Sequence, residues 1–391
     1  MDPSVLGLFL VAGLASLFMA WVIGAGSSGA TPFAPAVGAN AISTMRAAFI
    51  VGIFGFAGAV VQGANVSEAV GRGLVGGISL PVTGVIVVLA IGAGLMAVGI
   101  RTGYPIATAF TVTGSVVGVG LALGGSPVPS KYLQIGGVWL LTPIVGGGLA
   151  YGIASVLPRA DVPERYSVPV LAALVGAVLA NVEFAYLGAG TTAGSFVGAA
   201  RRATEFPMVG PVTVSGAVAL SVGVVVWWDI RRDTTGGLRR VLLALGSLVA
   251  FSAGGSQVGL AVGPLLPLLD SVTMVPVMAA LVGGGLGILV GSWTGAPRMI
   301  KSLARDYSSL GPRRSIAALV PSFLIAQLAV LLGVPVSFNE IVVSAIIGSG
   351  AAVGGSDAVS ARKILVTVGA WAGSFALAFA LGFGAIAVLP V

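Results

Sequence analysis

A helical membrane span needs about 20 apolar residues to cross a hydrocarbon core about 30 Å thick, and this chain is largely a succession of such runs. Twelve read as candidate spans: roughly 4–23, 44–62, 80–99, 105–123, 132–156, 168–187, 209–228, 240–258, 272–293, 316–333, 337–354 and 364–388. The residues between them supply too little charge for a soluble surface. Only 8% of the chain is charged and 57% is hydrophobic, with a mean hydropathy of +1.08, whereas soluble domains carry about 25% charged residues. Most of the outer surface must therefore face lipid. The 61 glycines agree, because small residues let membrane helices approach closely. There is no cysteine and no histidine, which excludes disulfides, thiol catalysis and His-ligated metals. The first run, Val5 to Ile23, lacks a preceding basic region and does not read as a cleaved signal.

The net charge of +7 reads as a topological signal rather than a nucleic-acid surface. Place the loop holding Arg231, Arg232, Arg239 and Arg240 in the cytoplasm and alternate sides at every span. Arg46, Arg101, Arg159, Arg165, Arg298, Lys301, Arg305, Arg313, Arg314, Arg362 and Lys363 then share that side, and only Arg72, Lys131, Arg201 and Arg202 fall outside. Cytoplasmic loops carry such an excess. The count predicts a multi-pass protein of the cell membrane with both termini outside. The stretch 188–208 is too polar for a span and reads as a loop or a re-entrant segment.

Three pairs of segments recur at an offset of about 230 residues. Residues 25–35 read Ala-Gly-Ser-Ser-Gly-Ala-Thr-Pro-Phe-Ala-Pro, and residues 254–264 read Gly-Gly-Ser-Gln-Val-Gly-Leu-Ala-Val-Gly-Pro. Pro105-Ile106-Ala107-Thr108 opens one apolar segment and Pro335-Val336-Ser337-Phe338 another, and Trp139 and Trp371 follow in matching runs. Seven spans separate equivalent helices, and an odd number inverts one half relative to the other, as in many secondary transporters. The expected fold class is an all-α polytopic membrane protein of about 12 transmembrane helices, with two inverted-topology repeats and broken or re-entrant helices. Its expected divisions are a first repeat (1–157), central spans with a connecting cytoplasmic loop (158–239) and a second repeat (240–391).

The repeated motifs are also where chemistry is expected. Gly24 to Pro35 crowds glycines, Ser27, Ser28, Thr31, Pro32 and Pro35 against the end of a span. Proline removes a helical hydrogen bond, and irregular backbone at membrane depth is tolerated only inside protein or along a cavity. Such a break leaves helix N-termini whose N–H groups and partial positive charge suit an anion. Ser27, Ser28, Thr31, Ser256 and Gln257 add neutral donors. In the second motif pair, Thr108, Thr111 and Thr113 lie in one half, and Ser337, Asn339 and Glu340 in the other. A carboxyl group within a membrane segment is costly and marks function by default. Glu340 reads as an acceptor for a coupling proton or a ligand for a coupling cation, with a water-exposed helix cap as the alternative. Glu183 is a weaker candidate near a span end.

At these segments the chain resembles the inorganic phosphate transporter (PiT) family of symporters, over nearly its whole length. Typical members carry Gly-Ala-Asn-Asp-Val-Ala-Asn-Ala in each half, followed by Pro-Val-Ser-Thr-Thr-His. The first signature aligns with Ala25 to Pro32, placing Ser27 and Ser28 at its Asn-Asp and Thr31 at its second Asn. The second aligns with Gly254 to Ala261, placing Ser256 and Gln257 at Asn-Asp and Leu260 at the later Asn. Pro335, Val336 and Ser337 match the following motif, with Glu340 at its His, while Pro105 and Thr108 match in the first half. Both signature aspartates are replaced. The altered strings resemble the sulfate permease branch of the family, where Gly-Ala-Ser-Gly-Ala replaces the Asn-Asp form and a Glu takes the His position. Hydrogen phosphate presents a hydroxyl that wants an acceptor, whereas sulfate at neutral pH presents acceptors only, so sulfate is slightly favoured over phosphate.

The resulting expectation is a secondary-active symporter of a small inorganic tetrahedral oxyanion, working by alternating access in the lipid bilayer. Ser27, Ser28, Thr31, Ser256, Gln257 and Ser337 would bind the oxyanion, and Glu340 would handle the coupling ion, proton or sodium. No cofactor is expected, and no Gly-x4-Gly-Lys-Ser/Thr string makes ATP the direct energy source. A passive anion channel and a phosphate:sodium symporter of the same family stay open. An intramembrane enzyme would need paired carboxylates, His or Cys at depth, so no enzymatic activity is expected. The resemblance also implies a homodimer.

Overall fold

The computed structural model describes residues 3–159, 163–184, 194–203, 210–271, 276–354 and 360–389. The helices are, in order, α1 (Pro3–Gly26), α2 (Ala34–Gly38), α3 (Thr44–Gln62), α4 (Ala64–Arg72), α5 (Val82–Thr102), α6 (Thr108–Ala122), α7 (Pro129–Val156), α8 (Glu164–Asn181) and α9 (Phe196–Ala203). They continue with α10 (Pro211–Arg232), α11 (Thr234–Val262), α12 (Leu266–Ser271), α13 (Val277–Thr294), α14 (Ala296–Arg305), α15 (Pro312–Leu331), α16 (Phe338–Gly354) and α17 (Ala361–Val388). Two-residue strands β1 (Val75–Gly76) and β2 (Ser126–Pro127) pair antiparallel. Proline lies in the first turn of α7, α10, α14 and α15, where its missing N–H costs nothing.

Among the described residues, nine helices are long and apolar enough to cross a membrane: α1, α3, α5, α7, α10, α11, α13, α15 and α17. The other three expected spans become α8 and two short apolar helices, α6 and α16. Helix α6 starts at Thr108, three residues after its expected span, and α16 at Phe338, one residue after; each follows an extended stretch around Pro105 or Pro335. The stretch 188–208 contains α9, reached through a backbone bridge between Phe184 and Gly194; residues 188–193 and 204–208 of it lie outside the described residues.

The packing runs in matched pairs. Helix α1 packs on α5 and α13, and α11 packs on α15 and α3. Helix α6 packs on α17, and α16 on α7. Exchanging each element of the first set for its counterpart about 230 residues later or earlier reproduces the second set. Helices α11 and α15 form the centre, each 72% buried along its most apolar stretch, whereas the corresponding stretch of α10 is 0% buried. Exposed Leu140, Leu220, Val225 and Leu365 cover the outside with hydrocarbon, which suits lipid and not water.

Polar contacts sort to two ends. Arg239 Nε donates to Ala41 O at 2.8 Å, Ser302 Oγ to Gly103 O at 3.2 Å, and Arg313 pairs with Glu164. Each joins two loops that the charge pattern assigns to the cytoplasm. Lys363 pairs with Asp306 at the same end. Partial burial works against ionisation of Asp306, but hydrogen bonds from Lys363 and Ser302 outweigh it and hold its carboxyl below the usual range. Tyr132 donates to Leu74 O at 2.7 Å and Gln62 Nε2 to Glu183 O at 3.0 Å, joining loops assigned to the opposite side.

Helices α3 and α11 cross through glycine. A Cβ on Gly58 would lie 1.8 Å from Phe251 O, and one on Gly254 would lie 1.8 Å from Gly55 O. No side chain fits without moving backbone. Gly254→Val should therefore lower the unfolding temperature in detergent, since overpacking costs at least about 1–3 kcal/mol. Gly148→Ala, where nothing lies within 4 Å of the added carbon, should leave it unchanged or slightly raised. Equal melting curves for both variants and the wild type would refute the close crossing.

Candidate functional site

Each half stops a helix in the same way. Helix α5 ends on Gly103 (φ +76°) and α15 is followed by Gly333 (φ +59°), both in the left-handed region that glycine enters freely. Two residues later come Pro105 and Pro335, which cannot continue a helix. The chain then starts again as α6 and α16. Two short extended loops, 103–107 and 333–337, thus sit in front of two short helices.

Two successive carbonyls of each loop, from the proline and the residue after it, find donors from other elements. Trp371 Nε1 donates to Pro105 O at 2.8 Å, and Trp139 Nε1 to Pro335 O at 2.9 Å. Asn339 Nδ2 donates to Ile106 O at 2.7 Å and to Gly26 O at 3.1 Å. Gln257 Nε2 donates to Val336 O at 2.7 Å. These bonds bring the first turns of α6 and α16, the end of α1 and the middle of α11 to one buried place. The first N–H groups of a helix have no intrahelical acceptor and carry about half a positive charge. Two such ends meet here.

The side chains expected at the site are all in this region and buried: Ser27, Ser28, Thr31, Ser256, Gln257 and Ser337 are 0% exposed, and Glu340 1%. They are not equally available. Thr31 donates back to Ser27 O at 3.2 Å and Ser28 weakly to Ile23 O at 3.5 Å. Ser27 Oγ, Ser256 Oγ, Ser337 Oγ, Gln257 Oε1 and Glu340 Oε2 have no hydrogen-bond partner. Leaving buried polar groups unmade costs about 1–3 kcal/mol apiece. A concentration of them in one place therefore marks a site shaped for something polar.

Two residues that were not assigned a binding role join the cluster. Thr108 Oγ1 and Asn339 Oδ1 are also buried and without partners. Both lie in the first turn of their short helix, and that position was the signal in the sequence. Glu183 is exposed, outside the cluster; its carbonyl accepts from Gln62, and it lines the cavity beside Gln62 and Gln327.

One expectation needs correction. The two Gly/Ser motifs do not break alike. In the first, α1 ends at Gly26, turns occupy residues 27–33, and everything from Val22 to Ala36 is buried. In the second, Gly254 to Val262 stay helical and the break falls later, at the short 3₁₀ turn Gly263–Leu265. The first motif holds prolines at positions 32 and 35, but the second has none before Pro264. The backbone N–H groups of Ser256 and Gln257 thus belong to α11, and only their side chains face a ligand.

Glu340 is the one buried carboxylate or basic side chain among the described residues. An ionised carboxylate in such a place costs several kcal/mol unless a proton or a cation accompanies it. The cluster therefore offers donors for an anion and one carboxyl that demands positive charge.

Beyond the cluster, Gln327 Nε2 donates to Ser252 Oγ at 2.5 Å and Gln62 Nε2 reaches Gln327 Oε1 at 3.5 Å. Ser252 lies one turn before Ser256 on α11. This polar chain leads to a cavity of 490 Å³ lined by Gln62, Asn65, Asn181, Ser215 and Gln327 amid apolar residues.

Residues 23–382 match the model of the phosphate transporter family. The chain belongs to that family. It is 28% identical over 376 residues to a Pyrococcus abyssi protein named as a phosphate permease, with 90% of each chain covered. It is 25% identical over 419 residues to a chloroplastic inorganic phosphate transporter of Arabidopsis thaliana, covering 92% of this chain and 68% of the relative. The solved structure of a protein described as the sodium-dependent phosphate transporter shares the fold, with a TM-score of 0.77 and 22% identity, over 98% of this chain and all (100%) of the other. The phosphate transporter family consists of transporters and not enzymes, and that settles the broad class of this chain.

Asn339 holds two carbonyls from the other half. Asn339→Ala should cost about 1–3 kcal/mol of stability and should diminish the thermal stabilisation given by millimolar phosphate or sulfate. Stabilisation by both anions equal to that of the wild type would remove Asn339 from the site.

Proposed function

We propose that this member of the phosphate transporter family is a secondary-active symporter that carries a small tetrahedral oxyanion by alternating access. The observation that carries the reading is the cluster of unpartnered buried groups, Ser27, Thr108, Ser256, Gln257, Ser337, Asn339 and Glu340, beside the N-termini of α6 and α16. Ser27, Ser256 and Ser337, with the helix-start N–H groups, donate to the anion. Ser28, Thr31 and Gln257 shape its surroundings. Glu340 takes the coupling ion. Alternating access uses the halves 1–157 and 240–391, inverted relative to each other, with 158–239 between them; the matched packing supports this. The cavity beside Gln62 and Gln327 supports a polar route to the site from the face opposite the arginine-rich loops. On this reading both termini are outside the cell membrane, and the family resemblance adds a homodimer.

For the cation, the name of the solved relative supports sodium, and a proton on Glu340 is the other form of the same coupling. For the anion, the names of the relatives support phosphate. The chemistry of this site leans slightly to sulfate. If Glu340 is engaged by the coupling ion, the region holds no second carboxylate to accept the hydroxyl of hydrogen phosphate.

Uptake of labelled sulfate and labelled phosphate into proteoliposomes, under an imposed sodium or proton gradient, tests all of this. Concentrative uptake of sulfate is expected, with coupling lost in Glu340→Gln while the anion still exchanges down its gradient. Concentration of phosphate alone would correct the anion and keep the transporter. Movement of either anion without any gradient dependence in the wild type would turn the reading into a channel.

A further inference from the structure

The two tryptophans found at matching positions in the sequence have a relationship that the transport site as described does not use. Trp139 lies on α7 and Trp371 on α17. Each sends its indole N–H across the molecule to the proline carbonyl of the other half's loop, Trp139 to Pro335 O (2.9 Å) and Trp371 to Pro105 O (2.8 Å). The residue after each proline is also held: Val336 O by Gln257, and Ile106 O by Asn339. Two consecutive carbonyls are thus pinned in each loop, directly before the short helix that carries site residues. Proline cannot donate, and its carbonyl faces an interior without water, so no solvent substitute for the indole is at hand.

We propose that Trp139 and Trp371 are reciprocal positioning residues, each setting the site loop of the opposite half. The inference rests on the transport reading for its kinetic consequences, but not for its structural one. The two bonds serve different ends because the two loops are chemically unequal. The Pro335 loop leads to Ser337, Asn339 and Glu340, whereas the Pro105 loop leads to Thr108 and has Phe110 where the other half has Glu340. Trp139 therefore governs the carboxyl that takes the coupling ion together with Ser337, a donor to the anion. Trp371 governs the helix start of α6 and the backbone that Asn339 grips, and so the anion alone.

The indole ring and the indole N–H are separable. Trp139 stacks on Phe110 with centroids 3.8 Å apart and meets Phe375 edge-on at 6.0 Å. Replacement by Phe keeps one aromatic ring in place and removes the donor together with the pyrrole half of the indole. Phe110→Leu does the converse, removing the stacked ring and leaving the N–H.

The first arm needs no transport. Hydrogen exchange on purified protein should quicken within 335–341 in Trp139→Phe and within 105–111 in Trp371→Phe, with each tryptophan's own helix unchanged. Exchange that rises around the substituted helix instead, or in neither loop, overturns the proposal. In the wild type, sodium should slow exchange chiefly in 335–341 and sulfate or phosphate in both loops; protection of 105–111 by sodium equal to that of 335–341 overturns the division of roles, even where a variant does not fold.

The second arm is uptake into proteoliposomes. Losing one buried hydrogen bond should raise the half-saturating concentrations of both cation and anion about tenfold in Trp139→Phe. In Trp371→Phe the anion's alone should rise, with the cation's within about twofold, and Phe110→Leu should shift neither. Equal shifts of both constants in both Phe variants would reduce the tryptophans to packing. A wild type that moves neither anion refutes the transport reading and leaves the exchange arm to decide this one.

Discussion

A carbonyl exposed by the end of a helix inside an apolar interior must find a donor, and this requirement organises the molecule. Helix α5 stops at Gly103 and α15 is followed by Gly333, both left-handed glycines, and the buried Pro105 and Pro335 come two residues later. The loops that follow would cost several kcal/mol per unpaired group in such surroundings. Their donors are side chains from elsewhere: Trp371 and Asn339 for one loop, Trp139 and Gln257 for the other. Three of these four donors come from the half opposite the loop they serve. The halves are therefore held together at their least regular segments, and the site lies in the same place because those segments also present the starts of two helices. Regular secondary structure elsewhere leaves the interior free of such needs, so the polar side chains concentrate there.

Much of this was legible in the residues. Apolar runs gave the spans, because lipid demands length and apolarity and little else. The loop arginines gave consistent sides, and cross-loop contacts such as Arg239 to Ala41 and Arg313 to Glu164 join only loops assigned together. Ser27, Ser256, Gln257, Ser337 and Glu340 stood out as candidates because Gly, Pro and hydroxyl residues recurred at one offset, and the structure places all five buried. The difference between the two Gly/Ser motifs was not legible at that level. Both segments are rich in glycine; Pro32 and Pro35 mark the first, but whether a glycine-rich stretch without proline such as Gly254 to Val262 stays helical depends on what lies against it. The close crossing of α11 with α3, where Gly254 meets Gly55 O, needs an unbroken helix there. Asn339 and Thr108 were visible as neighbours of the motif, but their lack of partners is a property of packing that no linear pattern contains.

The membership of the phosphate transporter family and the details of this chain pull in different directions, and the reason is local. Global likeness at 22–28% identity reflects spans, repeats and close helix crossings. Those constraints are imposed by the bilayer and by glycine packing, and they would be satisfied by many site chemistries. The anion is chosen by a handful of atoms. Here those atoms are hydroxyls, amides and helix-start N–H groups, with a single carboxyl. The family's name therefore describes the scaffold more firmly than it describes the ion.

The repeat makes that single carboxyl informative. Two halves built alike would place equivalent side chains at equivalent points, and Pro105 with Pro335, Trp139 with Trp371 and Gly103 with Gly333 obey this. Position 340 does not: its counterpart is Phe110, which stacks on Trp139. The first half thus fills this point with an aromatic contact, and the second half fills it with a carboxyl whose Oε2 has no partner. A second carboxylate a few ångströms away would repel the first and the anion alike, since charges in a medium of low dielectric interact strongly. On the proposed reading, this departure from the repeat leaves the site with a single negative group to be matched by a cation, while the hydroxyls and helix starts around it remain free for an anion. Together with Ser337 and Asn339 at the points where the first half has Ala107 and Ala109, the asymmetry between Phe110 and Glu340 would let one repeated framework hold ions of opposite sign.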